Sequence, residues 1–156
     1  MRILAAQDVL DSGAFVGFIF ASLGADWSAR YPLIIDEAHR LRGSAILDAE
    51  VVCPGKNGVA DFDALHSRTD DHIAVACAFD LLMLNDDDMQ CRPFAERKAA
   101  LGKLLFRSRG GIEYVEHAEG HGDRLFDAAC ELGLEGTVSK KLDAPYRSGK
   151  KNLDQG

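Results

Sequence analysis

With 156 residues, 47% of them hydrophobic and 28% charged, the chain is long enough for one packed domain and too short for two of ordinary size. A formal net charge of -7 and a pI near 5.1 argue against a protein that holds nucleic acid by bulk electrostatics, leaving room only for a local basic patch. Cys53, Cys77, Cys91 and Cys130 form no C-x-x-C pair and have no histidine at zinc-finger distance, so reduced, buried thiols in a cytoplasmic protein are expected.

The first long apolar run is Gly13 to Leu23. Asp8 and Asp11 precede it, Arg2 is the one basic residue nearby, and it is shorter than the ~20 residues of a membrane span, which argues against a signal peptide or an anchor. Pro32 followed by Leu33, Ile34, Ala38 and Leu41 at helical spacing predicts a helix from about residue 32 to Arg42. Ala45 to Cys53, rich in branched residues and ended by Pro54-Gly55, predicts a buried strand that nonetheless carries Asp48 and Glu50. Phe62 to His66 suits a short helix. Ile73 to Leu84 reads as a long apolar strand interrupted only by Asp80, and Asn85 to Asp88 turns the chain.

Pro93 to Phe106 predicts a helix with Leu101, Leu104 and Leu105 on its apolar face and Glu96, Arg97 and Lys98 outside; Gly110-Gly111 stops it. A strand over Ile112 to Val115, a helix over Leu125 to Leu132 closed by Gly133, and a strand over 135 to 140 complete the reading. Strands and helices mix without a parallel-crossover rhythm, which predicts an α+β domain with antiparallel sheets.

Polar residues intrude into three of these apolar strands: Asp48 and Glu50, Asp80 beside Phe79, and Glu135 with Lys140. Buried carboxylates cost free energy unless they are paired, hydrogen-bonded or metal-bound. Asp48 and Glu50, two apart, leave the same face of their strand, and on a neighbouring strand Glu135 would complete a pair able to share a divalent metal with a triphosphate. Phe79 offers a flat apolar face to a base and Lys140 a cation to phosphate. Each has a plainer reading beside it: a salt-bridged edge strand for Asp48 and Glu50, core packing for Phe79, and a solvated pair for Lys140 and Lys141. His117 and His121 have the spacing of a metal pair, weakened by the intervening Gly120.

The ordered set Ile46-Leu47-Asp48-Ala49-Glu50-Val51-Val52, Asp61-Phe62, Phe79-Asp80-Leu81-Leu82, Glu96-Arg97-Lys98, Glu135-Gly136-Thr137-Val138-Ser139-Lys140 and Pro145-Tyr146-Arg147-Ser148-Gly149 resembles the ATP-dependent DNA ligases, and among them the ligase domain of bacterial end-joining ligase D. The resemblance divides the chain into an atypical segment 1–23, a truncated adenylation domain 24–150 and a tail 151–156. It implies a partial ATP-grasp-like α+β fold, with antiparallel sheets flanked by helices. It implies ATP and Mg2+ as cofactors, nicked or broken double-stranded DNA as partner, no membrane, and work in the bacterial cytosol or nucleoid in DNA repair and recombination. It further implies that Glu50 and Glu135 serve metal and ribose or phosphate contacts, that Phe79 stacks on adenine and that Lys140 touches the α-phosphate.

Departures from that pattern carry their own expectation. Ligases of this family attack ATP with the lysine of a K-x-D-G motif placed before the Asp26-Trp27 region, whereas this chain has no lysine ahead of Lys56. The tryptophan and K-x-K pair expected after Arg147-Ser148-Gly149 and the oligonucleotide-binding-fold domain are also missing. The reading is therefore a nick-sealing DNA ligase by family, acting through lysyl-AMP and DNA-adenylate, of which this chain is a truncated, adenylation-deficient form with no catalytic residue assigned. The alternative is a non-catalytic nucleotide-binding remnant or interaction module. A truncated domain is also expected to expose strand edges and the faces of Ile46, Val51 and Phe79.

Overall fold

The computed structural model describes residues 2–7, 15–20, 25–55, 60–120, 122–131 and 137–147. Its frame is one mixed sheet in the order β2 (Phe15–Phe20), β1 (Arg2–Gln7), β3 (Ala45–Val52), β4 (Val75–Leu84), β5 (Asp87–Asp88), with β6 (Ile112–Tyr114) also paired to β4. Helices α1 (Pro32–Ala38), α2 (Phe62–Ser67), α3 (Phe94–Leu105) and α4 (Gly122–Glu131) lie between and after the strands.

Alternation on β3 sets the layers. Ala45, Leu47, Ala49 and Val51 are buried, whereas Ile46, Asp48 and Glu50 take the opposite face, as the period of two requires. The buried row meets Ile34 and Ala38 of α1, Ala76 and Ala78 of β4, and Leu101 and Leu105 of α3 in a single apolar cluster. Small alanines at the centre of β3 and β4 let the helices approach the sheet closely. The free edge expected beside β3 is occupied: β1 runs antiparallel to it with Arg2 opposite Asp48 and Ala5 opposite Ala45, and β2 follows β1 from Arg2↔Phe20 to Gln7↔Phe15. Val51 is buried, and Ile46 and Phe79 are half-buried.

Several elements depart from the sequence reading. The expected sheet was antiparallel throughout, but β6 runs parallel to β4, Ala76 opposite Ile112, because α3 carries the chain back to the same end before β6 begins. Helix α1 stops at Ala38 rather than Arg42, since Arg40 and Leu41 donate to the carbonyls of Glu37 and Ala38, three residues back, and Gly43 then turns with a φ of +81°. Thr137 to Lys140 form no strand, and Glu135 lies outside the described residues. Cys91 and Cys130 are exposed rather than buried; only Cys53 of the four is fully enclosed.

The loop entering β6 is held tightly. Ser108 Oγ donates to the Ile112 carbonyl at 2.5 Å, and the Gly111 carbonyl accepts from Ala76 N–H at 2.9 Å. Gly111 itself lies against the first turn of α1, where a Cβ would stand 2.0 Å from the Leu33 carbonyl oxygen.

Candidate functional site

Two irregularities in the β3–β4 ladder build the site. The register runs Ile46↔Met83, Leu47↔Leu81, Asp48↔Asp80 and Ala49↔Ala78, so β4 carries two residues, Leu82 and Phe79, without a counterpart on β3. Without the bulge at Phe79, Asp80 would follow Ala78 onto the apolar face; with it, Asp80 stands opposite Asp48 on the other face.

Two carboxylates directly opposite one another repel, and each is answered by its own partner. Asp80, fully buried, receives Arg97 from α3 through Nε to Oδ1 at 2.8 Å and Nη2 to Oδ2 at 3.0 Å, the bidentate fork that guanidinium geometry favours. Lys140 Nζ adds a contact to Asp80 Oδ2 at 3.4 Å. Asp48 accepts from the Tyr146 hydroxyl at 2.8 Å.

Arg97 binds the rest of the site together. Its Nη1 donates to the carbonyls of Arg92 at 2.5 Å and Ala144 at 3.1 Å, and its guanidinium lies 5.5 Å from the Phe94 ring centroid and 5.9 Å from that of Tyr146. Ala95 N–H donates to the Leu142 carbonyl at 2.9 Å and Tyr146 N–H to that of Gln90 at 2.8 Å, so residues 140–146 are laced onto the start of α3 and the turn that precedes it. Every buried side-chain nitrogen and oxygen among the described residues has a hydrogen-bond partner.

Lys140 therefore sits between rings. Its Nζ is 4.8 Å from the Phe79 centroid and 5.1 Å from that of Phe94, and the side chain keeps 32% of its surface exposed. An ammonium so placed remains reachable by an anion from solvent. Glu50 projects from β3 opposite Cys77, exposed and without a hydrogen-bond partner among the described residues. Burial, with the charges of Glu113 and Glu50, pushes the Cys77 thiol above its usual range.

Of the residues expected at a nucleotide site, Phe79 and Lys140 are brought together and Glu50 stands on the neighbouring strand. Asp48 and Asp80 are already committed to Tyr146 and to Arg97 with Lys140. No group of three or more histidine, cysteine or acidic side chains among the described residues is arranged to hold a metal. A magnesium ion asks less of the protein, one or two carboxylates with phosphate oxygens completing the shell, and Glu50 suits that donor set. His117 contacts Glu119 at 3.5 Å; His121 lies outside the described residues.

Arg97 and Lys98, expected on the outer face of α3, are buried instead. The signal was present in the spacing: Phe94, Arg97, Lys98, Leu101 and Leu105 recur at three and four residues, one helical face. Lys98 Nζ donates to the Val115 carbonyl and lies 4.1 Å from the Tyr114 centroid. Burial pulls its ammonium down to about 8 from an ordinary 10.5, with Asp80 opposing that shift and Lys140 reinforcing it. Between those two values the unfolded chain holds the Lys98 proton more firmly than the folded one, so the cost of charging Lys98 is full below the lower value and is relieved as pH rises to the upper one. Urea midpoints should accordingly rise across that window relative to Lys98→Met; parallel pH profiles for the two proteins would refute the assignment.

Comparison with known proteins gives the family. The family model described as the ATP dependent DNA ligase domain matches residues 19–154. The chain belongs to this family. Among curated relatives, the SPbeta prophage-derived DNA ligase-like protein LigB of Bacillus subtilis is 29% identical over 129 residues, covering 80% of this chain and 47% of that protein. The multifunctional non-homologous end joining protein LigD of Pseudomonas aeruginosa is 30% identical over 137 residues, covering 83% of this chain and 16% of that protein. The ligase-domain crystal structure of M. tuberculosis LigD superposes with a TM-score of 0.74 at 26% identity, covering 95% of this chain and 48% of that one. A mycobacterial DNA ligase D complexed with ATP and MES gives 0.73 at 26% identity, with 95% and 47% covered. This ligase-family chain thus spans about half or less of the length of each of these proteins. No helix among its described residues is long and apolar enough to cross a membrane.

Proposed function

We propose that this chain is the nucleotide-binding portion of an ATP-dependent DNA ligase of DNA repair and recombination, binding ATP reversibly against Phe79 and Lys140. The observation that carries this reading is Lys140, held by Asp80 beside the Phe79 ring yet one-third exposed. A ring face and a cation side by side suit a purine and its phosphates. Arg97 fixes the cation, since it anchors Asp80, and Asp80 in turn positions Lys140. The matched family is ATP dependent by description, and one structural neighbour was solved with ATP.

Magnesium, when bound, would be held by Glu50 and Glu135 and would offset the charge of the phosphates. The protein's own contribution is positioning. The substrate assigned to the whole ligase is nicked or broken double-stranded DNA, and its setting is the bacterial cytosol or nucleoid.

The test is calorimetric. Mg-ATP should bind the wild-type chain and raise its melting temperature by mass action. Lys140→Ala removes a charge-assisted contact worth about 1.5–3 kcal/mol and should weaken binding by roughly tenfold or more. Phe79→Ala should weaken it by a further factor of about 2–10, the range of an aromatic stack. Equal affinity in all three proteins would remove Phe79 and Lys140 from the site.

The alternative, an interaction module without nucleotide affinity, is favoured by no single contact in the site. It would show as an unchanged melting curve with Mg-ATP.

A further inference from the structure

A second charged site lies at the far end of α3. A cleft of about 530 Å3 opens between the end of α1 and the α3–β6 loop, and Arg40, Arg42, Lys103, Arg107 and Arg109 line it. These are five of the chain's 18 lysines and arginines, in a protein carrying 25 acidic residues. Glu37 is the one acid in the lining, and it is spent inside the protein: Oε2 accepts from Arg40 Nη1 at 3.2 Å and Oε1 from the Arg109 backbone N–H at 3.1 Å. That buried carboxylate ties the loop to α1, so cations contributed by two separate stretches are held on one wall. The side chains of Arg42, Lys103, Arg107 and Arg109 make no hydrogen bond or ion pair with any described residue.

Helix ends account for part of this charge, because cations near a C-terminus complement the macrodipole. Two helix ends explain Arg40 and Lys103. They do not explain Arg42, Arg107 and Arg109, which stand outside the helices and gather on the same opening. Like charges brought together at a surface repel, and such an arrangement is stabilised by an anion spanning them. Phe106, 85% exposed on the rim, adds an apolar face of the sort that packs on sugar or base.

We infer that this cleft binds the phosphodiester backbone of DNA, at a contact separate from the nucleotide site. Phe94 and Arg97 mark the nucleotide end of α3, and Lys103 begins the basic end; the helix is 12 residues, an axis of about 18 Å. The choice of DNA over other polyanions rests on the ligase reading above, whereas the charge arrangement stands without it.

Fluorescence anisotropy of the full chain with a short labelled DNA duplex, across a series of salt concentrations, tests the inference. Neutralising two contacts by Arg107→Gln with Arg109→Gln should weaken binding by about tenfold near physiological salt and reduce the slope of log K against log salt by about 1.8, at roughly 0.9 per phosphate. The pair Arg42→Gln with Lys103→Gln should do the same, which guards against one variant failing to fold. In both, the melting-temperature increase with Mg-ATP should match that of the wild type, so that loss of DNA binding is not confused with loss of the nucleotide site. Unchanged affinity and slope in both variants would overturn the proposal, as would a wild-type chain that does not bind the duplex. Tighter, equally variant-sensitive binding of polyglutamate would also overturn it, reassigning the cleft to an anionic protein partner.

Discussion

Asp80→Ala is expected to lower the unfolding free energy by about 3–5 kcal/mol, because it leaves the Arg97 guanidinium buried without its carboxylate. The loss spreads beyond the pair. Arg97 holds the carbonyls of Arg92 and Ala144, and Asp80 holds Lys140, so residues 140–146 should loosen together with the start of α3. Arg97→Ala should cost a similar amount for the reciprocal reason, leaving the buried Asp80 with only the 3.4 Å contact from Lys140 and the Leu81 N–H. The double variant should be no worse than either single one, a coupling of roughly 3 kcal/mol, since most of each penalty is the orphaned partner rather than the contact itself. Urea titration of the four proteins measures this directly. Additive losses would mean that Asp80 and Arg97 do not act as one unit.

Gly111→Ala is the second large effect. The added Cβ would lie 2.0 Å from the Leu33 carbonyl oxygen, 2.4 Å from the Leu33 carbonyl carbon and 2.8 Å from the Ile34 Cα. All three are backbone atoms, so no side-chain rotation relieves the overlap; α1 and β6 must move apart. Separating them disturbs Ile34 and Ile112, both fully buried, and strains the hydrogen bond from Ala76 to Gly111. A loss of about 3 kcal/mol or more is expected, at the upper end of overpacking penalties. A urea midpoint equal to the wild type would show that α1 does not approach the loop this closely. Gly110, where a Cβ would meet nothing within 4 Å, provides no such clash, though its φ of +148° still favours glycine.

The elements that were legible in the sequence are those whose periodicity matched their burial. Strand β3 was expected over Ala45 to Cys53 and runs Ala45–Val52; α3 was expected over Pro93 to Phe106 and runs Phe94–Leu105. The apolar run from Gly13 carried no alternation to mark it as a strand, so β2 escaped notice, and β1, ahead of that run, was not read as a strand either. Thr137 to Lys140 alternates like a strand but pairs with none among the described residues; its hold is the Lys140 side chain on Asp80. Charge misled at α3, where Arg97 and Lys98 were set outside because charged residues are rarely buried unpaired. Their partners come from β4 and the loop after β6, and no local pattern exposes a pairing seventeen residues away. The two bulges of β4 were likewise unreadable, because they exist only in the register against β3. Motif order alone proposes Phe79, Lys140 and Glu50 as site residues; that Asp80 holds Lys140, and Tyr146 holds Asp48, required the fold.

The central claim is a nucleotide site that binds ATP through Phe79 and Lys140. The most direct measurement incubates the purified chain with Mg2+ and ATP labelled at the α-phosphate and counts the label retained by native filter binding. Label should be retained by the wild-type chain and reduced by Lys140→Ala and by Phe79→Ala. No retention by the wild-type chain, or equal retention by all three proteins, would contradict the account.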